Sequence, residues 1–175
     1  MPPVYGIDFT ALTLKDALDL AVLIEEEARE RYEDFTVQME LHHTPEAAFF
    51  FRYMAANEEK HRAQLAARRK ELFGSEPSRV TLGMLFEVEA PEFDEVRVFM
   101  SAREALQVAF RAERKAWSFF AEATPRVTDV EVRALFAELR DEEVRHQRLV
   151  LAELERTPPE PTLRHADVAD DPVGQ

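Results

Sequence analysis

Apolar residues recur at intervals of three and four positions along four long stretches of this chain, which is the spacing of one face of an α-helix. The stripe in the second stretch, for example, runs from Ala47 to Leu72. The chain holds only 4 glycines, so it offers few places for tight turns. The pattern predicts an all-α protein with helices over residues 14–42, 45–73, 102–124 and 129–156.

Each of these stretches is flanked by residues that favour the ends of helices. Three pairs match the capping box, in which two side chains satisfy free backbone N–H groups of the first turn: Thr13 with Asp16, Ser101 with Glu104, and Thr128 with Glu131. Thr44 before Pro45 predicts the start of the second helix, and Gly74 predicts its end.

The connections between the predicted helices are unequal in length. Short turns join the first helix to the second and the third to the fourth, so each pair is predicted to be an antiparallel hairpin. About 27 residues, numbered 75–101, separate the hairpins. A connection of that length can cross a helix about 43 Å long, because an extended chain covers about 3.3 Å per residue. The expected fold is an antiparallel four-helix bundle of two hairpins joined by a long crossover.

Composition limits the organisation and the partners of the chain. We expect one bundle domain over residues 1–157 and a flexible, acidic, proline-rich tail over residues 158–175. The formal net charge of −13 disfavours nucleic acid and anionic membrane surfaces, and no apolar run approaches the length of a membrane span. No cysteine is present, which excludes disulfides, thiolate zinc sites and iron–sulfur clusters. Without a recognisable secretory signal, a cytoplasmic location is expected.

Each of the four apolar stripes carries a glutamate near its middle, and two stripes add a histidine one turn further on. These six residues are Glu25, Glu58, His61, Glu113, Glu143 and His146. Ionised carboxylates buried together are costly unless they bind a metal, and lysine and arginine are missing from the stripes near them. Two divalent cations would balance the charge of four carboxylates. Oxygen and imidazole nitrogen suit iron, manganese or zinc.

The order of these residues repeats along the chain. The lone glutamate precedes the histidine by 36 residues in the first half and by 33 in the second. Each lone glutamate is also followed by an alanine at the third position and an aromatic residue at the seventh: Ala28 and Tyr32, then Ala116 and Phe120. The chain therefore contains an internal duplication of a helical hairpin.

With this ligand order, the chain resembles the ferritin-like di-iron carboxylate proteins, most closely the rubrerythrins and bacterioferritins. Residues 25–32 are similar to the rubrerythrin pattern Glu-x-x-Ala-Arg-x-Arg-Tyr. Residues 142–146 resemble the Asp-Glu-x-Arg-His box of di-iron oxidases, with Glu142 in place of aspartate. The chain departs from typical rubrerythrins at Ala116, where they carry an extra carboxylate, and it has no cysteines for a rubredoxin domain.

The resemblance implies a ferritin-like bundle that binds two iron ions, with manganese or a mixed manganese–iron pair as alternatives. It implies that Glu58 and Glu143 bridge the metals, that Glu25 and His61 bind one of them, and that Glu113 and His146 bind the other. Tyr32 can serve as a hydrogen-bond or electron donor, or simply pack in the core. Asn57 and Glu142 can orient the histidines or lie on an exposed helix face.

The activity implied by the resemblance is redox chemistry with hydrogen peroxide or dioxygen, and we favour the reduction of peroxide. Electrons would come from an external donor, and the protein is expected to be a homo-oligomer of two or more chains. A ferroxidase that feeds iron storage, a non-catalytic di-metal bundle and a manganese–iron oxidase remain alternatives, because all of them share these ligands. The tail can be a solubilising end or a segment that docks the protein inside a protein shell.

Overall fold

The computed structural model describes residues 7–81, 83 and 101–159. These residues form four α-helices, each of which begins and ends within one residue of its predicted bounds: α1 (Leu14–Leu41), α2 (Pro45–Phe73), α3 (Ala102–Ala123) and α4 (Val130–Arg156). A single 3₁₀ turn, Thr124–Arg126, follows α3. No β-strand lies among the described residues, so the prediction of an all-α protein is confirmed.

The helix ends follow the predicted signals at most positions. Two predicted capping boxes form, at Thr13 with Asp16 and at Ser101 with Glu104. The third is wrong, because Asp129 rather than Thr128 caps α4 and accepts hydrogen bonds from two backbone N–H groups of its first turn. At α4, a short carboxylate directly before the helix outcompetes a hydroxyl one residue earlier. Before α2, the hydroxyl of Thr44 does not cap the helix and donates to the carbonyl of Met39, at 3.0 Å.

Gly74 ends α2 with a φ of +56°, a conformation that side chains other than glycine rarely adopt. The chain that follows is fastened to the beginning of α1. Lys15 Nζ donates to the carbonyl of Pro77 at 2.7 Å, and Arg79 pairs with Asp16 at 2.7 Å. The departing chain is therefore held where α1 begins.

The buried apolar residues form two clusters, one toward each end of the bundle. The first combines the beginnings of α1 and α4 with the end of α3 and with Leu65 near the end of α2. The second combines the end of α1 with the beginnings of α2 and α3 and with Val150 near the end of α4. This grouping makes α1 parallel to α4 and α2 parallel to α3. The end of α2 and the beginning of α3 therefore lie at opposite ends of the bundle, which is the arrangement that the predicted crossover requires.

Some predictions concern residues that the structure does not describe. Most of the crossover and residues 160–175 of the expected tail lie outside the described residues. Among those described, no helix combines the length and the apolar character that crossing a membrane requires. Leu72, predicted on the buried stripe of α2, is 51% exposed. This prediction is wrong because Phe73 is the residue of the last turn that packs against the core.

Candidate metal centre

A polar layer separates the two apolar clusters near the middle of the helices. It contains the six residues that the sequence singles out, brought together from all four helices: Glu25, Glu58, His61, Glu113, Glu143 and His146. All four glutamates and His146 are buried, whereas the side chain of His61 is 20% exposed. The helix periodicity dictates this placement, because each residue continues the stripe that packs against the other helices.

The two histidines face the carboxylates of the layer. Nδ1 of His146 is 3.2 Å from Glu58 Oε1, 3.3 Å from Glu113 Oε2 and 3.9 Å from Glu143 Oε2. Nδ1 of His61 is 3.8 Å from Glu25 Oε2. The two imidazole rings stack with their centroids 5.5 Å apart and their planes at 14°.

The donor atoms are close enough to share metal ions. In the group Glu58, His61 and His146, and in the group Glu113, Glu143 and His146, one ligand atom from each residue lies within 4.8 Å of the others. Nδ1 of His61 is buried and has no hydrogen-bond partner among the described residues. An imidazole nitrogen left without a partner, facing carboxylate oxygens, fits a divalent cation of the first transition row. The residues present therefore fit a di-metal site.

Burial and neighbouring charge shift the pKa values of the site in opposite directions. Burial, followed by the charge of Glu113, raises the pKa of Glu143 well above its usual range, and burial also raises the pKa of Glu25. Burial alone would raise the pKa of Glu113 too, but its hydrogen bond to His146 and the charge of that histidine bring the pKa below its usual value. Without metal, the site therefore holds protons on some carboxylates, and metal binding must release them.

Tyr32 is fully buried, and its hydroxyl donates a hydrogen bond to Oε1 of Glu113. Its ring also stacks on Phe51, with centroids 6.0 Å apart. Burial, together with the charge of Glu113, raises the pKa of Tyr32 well above its usual value, so the hydroxyl keeps its proton. Tyr32 thus both packs in the core and holds a predicted metal ligand in place.

A small cavity of about 10 Å³, with room for about one water molecule, lies beside the carboxylates. The four glutamates line it together with Ile24, Ala28, Arg31, Ala112 and Ala116. Arg31 was not among the residues predicted for the site, although its position three residues after Ala28 places it on the same helix face. An arginine therefore does stand beside the carboxylates. One such cation cannot balance four of them.

Comparisons with known proteins agree with this architecture. The family model described as Rubrerythrin matches residues 16–154. The crystal structure of an uncharacterized conserved protein from Magnetospirillum magnetotacticum is similar, with a TM-score of 0.72 and 28% sequence identity. The similarity covers 86% of this chain and 99% of that one. No curated protein sequence matches the chain. With a family match over most of its length and the buried carboxylate–histidine cluster of its four helices, the chain belongs to the rubrerythrin family.

Proposed function

We propose that this protein is a di-iron oxidoreductase that reduces hydrogen peroxide. The observation that carries the proposal is the buried cluster of four carboxylates and two histidines in a chain of the rubrerythrin family. Oxygen and imidazole ligands of this kind suit iron, and four carboxylates favour its ferric state because they supply negative charge.

Contacts across the cluster support the proposed roles of its members. Glu25 faces His61, and Glu113 faces His146, which pairs each terminal carboxylate with one histidine. Glu58 hydrogen-bonds with Glu25 of one pair and lies 3.2 Å from His146 of the other. Contact with both pairs supports Glu58 as a bridging ligand, and Glu143 is proposed as the second bridge.

Two bound ferrous ions would supply the two electrons that, with two protons, convert one hydrogen peroxide molecule to two water molecules. Apolar clusters close both ends of the layer, and all of its proposed ligands except His61 are buried. The hydroxyl of Tyr32 keeps its proton and occupies Oε1 of Glu113, so that Oε2 is the oxygen 3.3 Å from His146.

The small cavity favours a small oxidant over an organic substrate. Its alanines leave little more than the space of a water molecule beside the carboxylates. A cavity of this size supports peroxide or dioxygen as the reactant. It disfavours the hypothesis that the protein is a manganese–iron oxidase that acts on larger molecules. An external electron donor is then needed to return the metals to the reduced state, since the chain holds no cysteine for a rubredoxin-type centre.

The test is an anaerobic ferrous titration, followed by stopped-flow mixing of the loaded protein with peroxide and, separately, with dioxygen. We expect two iron ions per chain and faster oxidation by peroxide at equal concentrations. Faster reaction with dioxygen, with a soluble ferric mineral after repeated additions of iron, would replace the proposal with a ferroxidase. Iron that binds but reacts with neither oxidant would leave a non-catalytic di-metal bundle.

We also propose that the protein is a homo-oligomer. Large apolar side chains are exposed where the end of α1 meets the beginning of α2: Val37, Leu41, Phe49 and Tyr53. A second copy of the chain would remove this surface from water. Light scattering should give a mass of at least two chains, and Phe49→Ser should shift it toward one. A wild-type mass of one chain would refute this proposal.

A further inference from the structure

The internal duplication places different residues behind the two histidines. Asn57 in α2 and Glu142 in α4 occupy matching positions, because each directly precedes a proposed bridging glutamate and stands four residues before a histidine. Asn57 carries a neutral amide, and Glu142 carries a carboxylate. The two halves of the metal centre therefore differ in charge just beyond the ligands.

Glu142 contacts the histidine of the other ligand-bearing helix. Its Oε2 lies 3.7 Å from Nε2 of His61, and its Oε1 pairs with Arg145. On the opposite side of the same ring, Nδ1 of His61 faces Glu25 at 3.8 Å. The carboxylate thus stands behind the imidazole, and the nitrogen available to a metal points into the layer.

The two histidines also differ in how firmly the bundle holds them. The side chain of His146 is 5% exposed, and its Nδ1 is close to three carboxylates. The side chain of His61 is 20% exposed. A ring at the edge of the bundle has more freedom to rotate, so a partner on its far nitrogen contributes more to its orientation.

We propose that Glu142 is a positioning residue for His61 and that the two metal positions are unequal as a result. The position at Glu25 and His61 depends on Glu142, whereas the position at Glu113 and His146 does not. This inference rests on the proposed di-metal function and specifies how its two positions differ. A carboxylate behind a metal-binding histidine fixes the ring and makes its free nitrogen a better donor, and its loss costs about 10- to 100-fold in metal affinity.

The experiment is a calorimetric and spectroscopic titration with Co²⁺, which does not require oxidation or turnover. Wild-type protein is compared with Glu142→Gln and with Asp141→Asn, which changes the net charge equally at an exposed neighbouring carboxylate. In Glu142→Gln we expect one of the two ions to bind about 10- to 100-fold more weakly, and Asp141→Asn to leave both unchanged. Glu142→Asp should recover part of the loss, and the thermal midpoint of the metal-free protein should be the same in all variants.

A double-mutant cycle assigns the weakened position. The Glu142→Gln effect should vanish when His61 is also changed to alanine and persist when His146 is changed instead. Equal affinities in Glu142→Gln and Asp141→Asn, or equal weakening of both ions, would overturn the inference while the di-metal function stands. A wild-type protein that binds no Co²⁺ would overturn both.

Discussion

The hairpin α1–α2 and the hairpin α3–α4 carry the same ligand types in the same order, yet their surroundings differ. The histidine of the first hairpin is partly exposed, whereas that of the second is buried. The aromatic residue seven positions after the lone glutamate is Tyr32 in the first hairpin and Phe120 in the second. Duplication has thus kept the ligands, and divergence has changed the groups beside them.

This divergence affects the contacts between the two hairpins rather than the contacts within each hairpin. Tyr32 of the first hairpin donates to Glu113 of the second, and the hydroxyl that the matching exchange would need is absent from Phe120. The pKa of Glu113 is lowered below its usual value, while burial raises the pKa of Glu25. In the metal-free site Glu113 is therefore expected to lose its proton at a lower pH than Glu25 does.

Removing a proposed bridging glutamate should weaken metal binding in both halves of the centre at once. Glu58→Ala and Glu143→Ala should each lower the metal content from two ions per chain to one or fewer, because a bridge serves both positions. Metal analysis of the purified proteins measures this directly. Glu59→Ala, in the half-exposed residue next to Glu58, is the matched control and should retain two ions. Full occupancy in both bridging variants would remove the assignment.

Neutralising Glu25 or Glu113 alone should change the stability of the metal-free protein in opposite directions. Because burial raises the pKa of Glu25 above the usual 4.5, this residue contributes stability below that pH, and the contribution is lost as the pH rises through its folded-state pKa. Glu25→Gln should therefore raise the thermal midpoint of the metal-free protein near pH 8 and leave it nearly unchanged at about pH 4. Glu113→Gln should instead cost about 1–3 kcal/mol, since His146 and Tyr32 lose a charged partner.

Urea unfolding and thermal scans at the two pH values measure both effects. Glu26→Gln, next to Glu25 but only half-buried, controls for the change in net charge and should alter neither value. If Glu25→Gln and Glu113→Gln shifted stability in the same direction, the difference in protonation between the halves would be refuted.

Placing the same aromatic residue at positions 32 and 120 should reduce the difference between the two hairpins. Tyr32→Phe removes the hydroxyl that donates to Glu113, and we expect a loss of about 1–2 kcal/mol in the unfolding free energy of the metal-free protein. Metal content should stay at two ions per chain, because no ligand is lost. Urea unfolding gives the measurement, with Phe120→Tyr as the reciprocal variant. An unchanged free energy in Tyr32→Phe would show that packing alone explains this residue.

The smallest effect is expected from removing residues 160–175, which follow α4. Deletion of residues 160–175 should leave metal content and thermal midpoint nearly unchanged, because the sequence there has no apolar stripe to bury. Circular dichroism during heating and metal analysis of the shortened chain check this. A fall of several degrees would mean that the segment packs on the bundle or on a neighbouring chain.

Local patterns in the sequence were sufficient to predict the helices and the composition of the polar layer. Periodicity identified the stripes, two capping boxes and Gly74 located helix ends, and the six ligand candidates followed from polar residues inside apolar stripes. These features depend on the hydrogen-bonding needs of a helix and on its 3.6-residue turn, which a sequence displays directly. The failures, at Thr128 and Leu72, lie at helix ends, where competing caps and the last turn decide.

Only the tertiary structure decided which residues of different helices meet. Periodicity states which face of a helix is buried, but not how far each helix is rotated or shifted against its neighbours. The hydrogen bond from Tyr32 to Glu113, the pairing of Glu142 with His61, and the place of Arg31 at the cavity all depend on that rotation. The sequence by itself therefore determined what the centre is made of. The packing of the four helices decided that its two halves are unequal, because contacts between helices depend on three-dimensional distances that no local spacing encodes.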